Sequence, residues 1–192
     1  MKILGISQCQ GKEMLYLKPD SALLVNRKPF FVPEKLPRLV AYPCVVVRFN
    51  KLGKSIEERF ASRYYSEIAL GLNIRVDDGE MLSHNYGLNM LSCLAFDYSA
   101  VVGDFVDVAD MMEYSSNGSI AFFQGNDSRK VFNIGQLCCG VDFAISQVSK
   151  YLTVRMGDML CVDFAAEPFL LQSESIICGD AGNKQCLYCK IK

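Results

Sequence analysis

The stretch Leu39-Val40-Ala41-Tyr42-Pro43-Cys44-Val45-Val46-Val47-Arg48-Phe49 decides how the rest of this 192-residue chain is read. It is rich in β-branched residues and is bounded by Pro37 on one side and the turn Lys51-Leu52-Gly53-Lys54 on the other, so it predicts a buried strand. Pro43 interrupts it, and a residue with no amide proton to give to a ladder belongs at an edge or a bulge.

Working outward, Ser55 stands at a plausible N-cap with Glu58 three residues on, and Ile56, Phe60, Tyr64 and Ile68 recur every four residues. That pattern predicts an amphipathic helix over 55–69. A second helix is expected over 141–152, where Val141, Ala144, Ile145, Val148 and Leu152 share one face. Gly157-Asp158 then turns the chain into a buried strand at Met159-Leu160-Cys161-Val162, and Gln185 to Lys192 reads as a further strand. No repeat, low-complexity tract or charge block marks a boundary, so residues 1–192 form a single domain, mixed with strands dominating.

Composition narrows the function. Hydrophobic residues make up 51% of the chain, and 20 basic side chains balance 21 acidic ones, which gives no basic surface for nucleic acid. The apolar runs, such as Cys44 to Val47 and Ile120 to Phe123, are far shorter than the roughly 20 residues of a membrane span. Met1 to Cys9 is too short for a secretory h-region. Nine cysteines, an odd count, suit a reducing compartment in which they serve as small core residues, and the expected location is the cytoplasm. The spacing Cys178-x7-Cys186-x2-Cys189 could bring thiolates to zinc, but strand residues three apart point to opposite faces, so these too read as structural.

Several blocks, taken in order, resemble the fumarylacetoacetate hydrolase family. They are Leu17-Lys18-Pro19-Asp20-Ser21-Ala22-Leu23-Leu24, Lys28-Pro29-Phe30-Phe31-Val32-Pro33, Asn50 to Ile56, Phe60 to Tyr65, Leu70-Gly71-Leu72-Asn73, Phe96 to Val106 and Tyr151 to Asp158. The resemblance covers residues from about 17 to the carboxyl terminus. It implies an α+β, mainly β fold, a mixed β-roll or sandwich with peripheral helices, commonly dimeric. In the family a divalent Mg or Mn ion held by carboxylates grips a 2-oxo acid or acylpyruvate, and the metal stabilises the enolate that forms.

The same resemblance implies that the metal site is depleted here. The family's Glu-x-Glu falls on the strand at 39–49, because side chains two apart share a face and converge on one cation. Anchored on Val46-Val47-Arg48, those positions are Tyr42 and Cys44; anchored on the preceding tyrosine of the pattern, they are Pro43 and Val45. An Ala-Arg-Asp-x-Gln pattern reads Val76-Asp77-Asp78-Gly79-Glu80, which keeps Asp78 as a metal-ligand remnant and turns the neighbouring lining acidic. The Gly-x-Pro-Trp region reads Gly87-Leu88-Asn89-Met90, a substrate-holding lysine becomes Leu94, and the Thr-Gly-Thr-Pro loop becomes Val162-Asp163-Phe164-Ala165. Lys18-Pro19 arrives after only 17 residues, so the family's amino-terminal His/Glu segment is shortened away, and the single histidine, His84, reads as a surface or hydrogen-bonded residue.

No catalytic residue is therefore assigned and no cofactor is expected. The leading expectation is a catalytically silent protein acting as a binding, regulatory or partner subunit, a homodimer or the partner of an active paralogue, with no nucleic acid and no membrane. The alternative is a metal-dependent hydrolase, isomerase or decarboxylase with a site rebuilt from Tyr42, Cys44, Asp77, Asp78 and Glu80, a thiolate and carboxylate set better suited to zinc or iron than to magnesium. Within that site Cys44 could serve as a nucleophile, although a structural thiol is the simpler reading. If only the cavity remains, the loss of its cationic lining favours a neutral or cationic small molecule over a 2-oxo acid.

Overall fold

The computed structural model describes residues 1–9, 12–77, 90–116, 120–125 and 128–192. Twelve described strands form two sheets. The larger takes β1 (Lys2–Cys9), β2 (Lys12–Pro19), β3 (Leu23–Val25), β4 (Leu39–Phe49), β5 (Tyr65–Val76), β6 (Ala100–Asp107), β9 (Met159–Asp163) and β10 (Phe169–Leu170). Its order is β2-β1-β9-β4-β5-β6-β3, with β10 paired to β4. The smaller sheet is β12-β11-β7-β8, built from β7 (Ile120–Gln124), β8 (Ser128–Phe132), β11 (Ile176–Ala181) and β12 (Lys184–Lys190). Helices α1 (Met90–Leu94), α2 (Val108–Ser116) and α3 (Val141–Tyr151) lie outside these ladders. No described helix is long and apolar enough to cross a membrane.

β4 spans the predicted residues and lies at the centre of the large sheet, hydrogen-bonded to β5 on one side and to β9 on the other. Pro43 fits there because β9 pairs only from Cys44 onward and β10 takes over at Ala41. The proline thus stands at the gap between two successive neighbours, where its carbonyl accepts a hydrogen bond from the Phe164 N–H (2.9 Å) and no donor is required of it.

The helix expected over 55–69 is not formed. A 3-10 turn covers Glu58–Tyr64, and the chain then enters β5. Residues four apart share a face in a strand as well as a helix, so the Tyr64 and Ile68 spacing fitted both. Ser55 is not an N-cap: it has a positive φ of 50°. Its N–H is bonded to Ser149 O, and the next N–H, of Ile56, to Ser149 Oγ, both at 2.9 Å. The run from Ile68 to Val76 is buried throughout, as suits a strand covered on both faces. The helix expected over 141–152 is α3, and Ala144, Ile145 and Val148 are buried on it.

The two sheets meet where Gly103 of β6 faces β12. A Cβ at Gly103 would stand 2.4 Å from the carbonyl oxygen of Cys186, so only glycine permits this approach of backbones. The eight cysteines whose side chains are described are free; Cys44, Cys93, Cys161, Cys186 and Cys189 are buried. Cys178 pairs with Tyr188 and Cys189 with Ile177, so Cys178 and Cys189 point to opposite faces of the small sheet.

Candidate functional site

The register of the large sheet gathers a polar cluster on one of its faces. Tyr42 stands opposite Asn73, and Cys44 stands opposite Gly71 on β5 and Asp163 on β9. Cys161 is beside Gly5, Gly5 opposite Tyr16, and Ile3 opposite Lys18, which brings β1 and β2 into the same face. Arg75 follows Asn73 by two residues and shares its side of the strand. Lys18, Arg75, Asn73 and Asp163 are all at most 1% exposed.

These groups largely satisfy one another. Asn73 Nδ2 donates to Asp163 Oδ2 (2.9 Å), and Arg75 Nη1 donates to Ser7 Oγ (2.9 Å). The Arg75 guanidinium lies 4.0 Å from the centre of the Tyr42 ring, a cation held against an aromatic face. Lys18 Nζ donates to the carbonyls of Ile74 (2.9 Å) and Ser99 (2.8 Å). Tyr16 packs flat over Gly5, where any Cβ would collide with its ring. Among the described residues, Asn73 Oδ1 is buried without a hydrogen-bond partner, and the Tyr16 hydroxyl lies against the Asp163 carboxyl.

Burial sets the charge state. Desolvation raises the Asp163 carboxyl to about 7, although Asn73, Arg75, Lys18 and Tyr16 all pull it down. Desolvation likewise lowers the Lys18 ammonium to about 7 against the attraction of Cys161, Asp163 and Cys44. The Cys44 thiol is pushed well up, first by burial and then by its hydrogen bond with Cys161, which favours its protonated form.

A pocket of about 480 Å³ opens onto this cluster, lined by Gln8, Tyr42, Asp163 and the segment 164–168. Backbone bonds from Phe164 N–H to Pro43 O (2.9 Å), Ala165 N–H to Gln136 O (2.9 Å) and Ala166 N–H to Phe164 O (2.8 Å) fix that segment, and Lys130 Nζ donates to the carbonyls of Glu167 and Pro168. Asp163 belongs to both the pocket wall and the buried cluster, and so joins the two.

Of the residues picked out by sequence, Tyr42 and Cys44 do share the face that carries Asp163. Asp77 lies one residue beyond β5, half-buried, with its N–H bonded to Arg38 O (2.9 Å). Asp78, Glu80 and His84 lie outside the described residues. Leu94 is buried at the end of α1. The acidic lining expected from Asp77 and Glu80 involves a residue outside those described, and the described face buries Lys18 and Arg75 beside Asp163. Asn73, Arg75, Lys18 and Asp163 were missed as site residues. A signal existed for two of them: Asn73 and Arg75 are the only polar side chains in the run Ile68 to Val76, and they stand two apart.

No protein-family model matches the sequence, and no curated protein matches it significantly. Solved structures do. A protein from Yersinia pestis CO92 described as of the fumarylacetoacetate hydrolase family superposes with a TM-score of 0.84 at 18% identity, over 100% of this chain and 92% of the other. Fumarylpyruvate hydrolase from Pseudomonas aeruginosa, solved with Mn2+ and pyruvate, gives 0.81 at 16% identity, over 100% and 89%. The 5-carboxymethyl-2-hydroxymuconate delta-isomerase of Mycobacterium smegmatis gives 0.78 at 12%, over 99% and 78%.

Proposed function

We propose that this chain, which carries the fold shared by fumarylacetoacetate hydrolase family proteins, is a catalytically silent binding or partner subunit. On this reading it does not perform metal-dependent hydrolysis or isomerisation. The observation that carries the proposal is the buried cluster of Lys18, Arg75, Asn73 and Asp163 beside Tyr42 and Cys44. A hard divalent cation needs several oxygen ligands, usually anionic. The described face offers a phenol, a protonated thiol, an amide and a carboxylate whose charged form is disfavoured, alongside two cationic side chains. Among the described residues no three His, Cys, Asp or Glu side chains are grouped to hold one ion. The donor set of the described residues therefore does not fit Mg2+ or Mn2+, and no step is routed through a metal.

What the pocket suits is a small neutral molecule with hydroxyl or amide groups to pair with the polar side chains of its lining, Gln8 and Tyr42 among them. The subunit is proposed to act in the cytoplasm, as a homodimer or beside an active paralogue.

Thermal-shift measurements test this, because anything that binds the native state raises its melting temperature. Small polyols and amides should raise it, whereas Mg2+, Mn2+ and 2-oxo acids should not. A saturable shift with Mn2+, or zinc or iron retained through purification at one equivalent, would replace the proposal with a rebuilt metalloenzyme.

A further inference from the structure

β2 is the end strand of the large sheet, and among the described residues it pairs only with β1. Its register tells which backbone groups are left over. Pro19 stands opposite Lys2 and has no N–H to give, while the Lys2 N–H donates to Asp158 Oδ1 (3.0 Å), so this pair exchanges no ladder hydrogen bond. Bonded and non-bonded pairs alternate along an antiparallel ladder. Lys18, Tyr16 and Met14 therefore bond to β1, and the N–H and C=O groups of Leu17, Leu15 and Glu13 point the other way, to the open edge.

The side chains of those same residues share one face of the strand. Leu15 and Leu17 are 40% and 47% exposed on it, whereas Tyr16 and Lys18 on the opposite face are buried. A groove of about 330 Å³ lies beside the two leucines, lined by Leu4, which pairs with Leu17, and by Val148, Tyr151 and Leu152 at the end of α3. Paired residues in a sheet point to the same face, so a strand added to this edge sends its alternate side chains to the groove. Proteins ordinarily guard an open edge with charge, proline or a bulge. Here Glu13 and Pro19 stand at the two ends, and Leu15 to Leu17 between them carry no guard.

We propose that this edge takes β2 of a second copy of the chain, which makes one continuous sheet across a two-fold axis. The strip itself argues for that occupant, because a two-fold contact joins a patch to itself. Two antiparallel β2 strands centred on Leu15 set Glu13 opposite Leu17 of the partner subunit, and Leu17 opposite Glu13 of the partner subunit, so every outward N–H meets an outward C=O. The leucines of both copies then lie together on one face and cover the groove along α3. An unrelated strand needs the same apolar alternation to do this, and β2 already carries it. The inference gives a surface to the homodimer in the reading above and rests on that part of it; catalytic silence does not depend on it.

Light scattering after size exclusion, with amide hydrogen exchange on the same full chain, tests this. The wild type should run at twice the 21.4 kDa of one chain, and the Glu13, Leu15 and Leu17 amides should lose protection on dilution to the monomer. Leu15→Pro removes an outward N–H and leaves the bonds to β1 in place, and Leu17→Lys keeps the backbone but puts a charge in the seam. Each should weaken dimerisation by more than about tenfold with the far-UV circular dichroism unchanged. Leu17→Lys decides the matter if the proline variant unfolds. Leu52→Lys, at a leucine 70% exposed elsewhere on the surface, should stay dimeric. A monomer, whether its edge amides exchange freely or are protected by another part of the chain, overturns the proposal and the homodimer together. A dimer that leaves the Leu15 and Leu17 amides unprotected, or that survives Leu17→Lys, overturns this surface alone.

Discussion

Where the small sheet meets the large one, Phe122, Phe132 and Phe164 pack ring on ring, with Phe132 and Phe164 stacked at 4.3 Å between centroids. The face of the large sheet that carries Tyr42 and Cys44 buries Lys18, Asn73, Arg75 and Asp163 just as deeply. Both regions exclude water, and Asp163 and Phe164 are consecutive residues. The aromatic seam gains free energy from transfer and packing alone. The polar face bears desolvation that its hydrogen bonds and charges only partly offset. Such a face adds little to stability, and here it borders a pocket.

The contrast can be broken by experiment. The largest expected effect is in the seam: Phe132→Ala should lower unfolding free energy by about 3–5 kcal/mol in urea titrations, equally at every pH. A loss below about 1 kcal/mol would mean the seam is not the apolar anchor.

Next comes the polar face, whose signature is a pH slope. Asp163 is raised from 3.8 to about 7 on folding, so between these values the folded state keeps a proton that the unfolded state has lost. Stability contributed by this group is full below 3.8 and falls by about 1.4 kcal/mol per pH unit as pH rises towards 7. Asp163→Asn should remove that slope and be more stable than wild type at pH 8. Lys18 has the opposite sense. Its folded value of about 7 lies below 10.5, so stability recovers as pH rises from 7 towards 10.5, and Lys18→Met should abolish the recovery. Unchanged slopes in both variants would show that the cluster is not desolvated as described.

The smallest effect belongs to the surface. Glu57 and Arg59 pair at 2.8 Å with side chains 63% and 71% exposed, and Glu57→Gln should cost no more than about 1 kcal/mol and be insensitive to core variants.

How much of this was legible beforehand depends on range. β4 and α3 could be read because hydrophobic content and helical period are local properties. The 55–69 helix was misread because a four-residue spacing does not distinguish a helix from the approach to β5, and because the contacts that settle it, Ser55 and Ile56 on Ser149, join residues about ninety apart. Tyr42 and Cys44 were found through family resemblance. Asp163 was noted only as a replacement in a lost loop, since its place opposite Cys44 follows from the β4–β9 register. Lys18 lay hidden in the alternation Leu15-Tyr16-Leu17-Lys18, where a lysine on the buried side looks like one on the wet side until β1 pairs with β9.

The central proposal is that this chain, with Lys18, Arg75, Asn73 and Asp163 buried beside its pocket, carries out no metal-dependent reaction. Steady-state assay of the purified protein with acylpyruvates and with oxaloacetate, in Mg2+ and in Mn2+, addresses it most directly. The account predicts no turnover above the metal-only background in either ion. Turnover near that of a relative with an intact carboxylate site would contradict it.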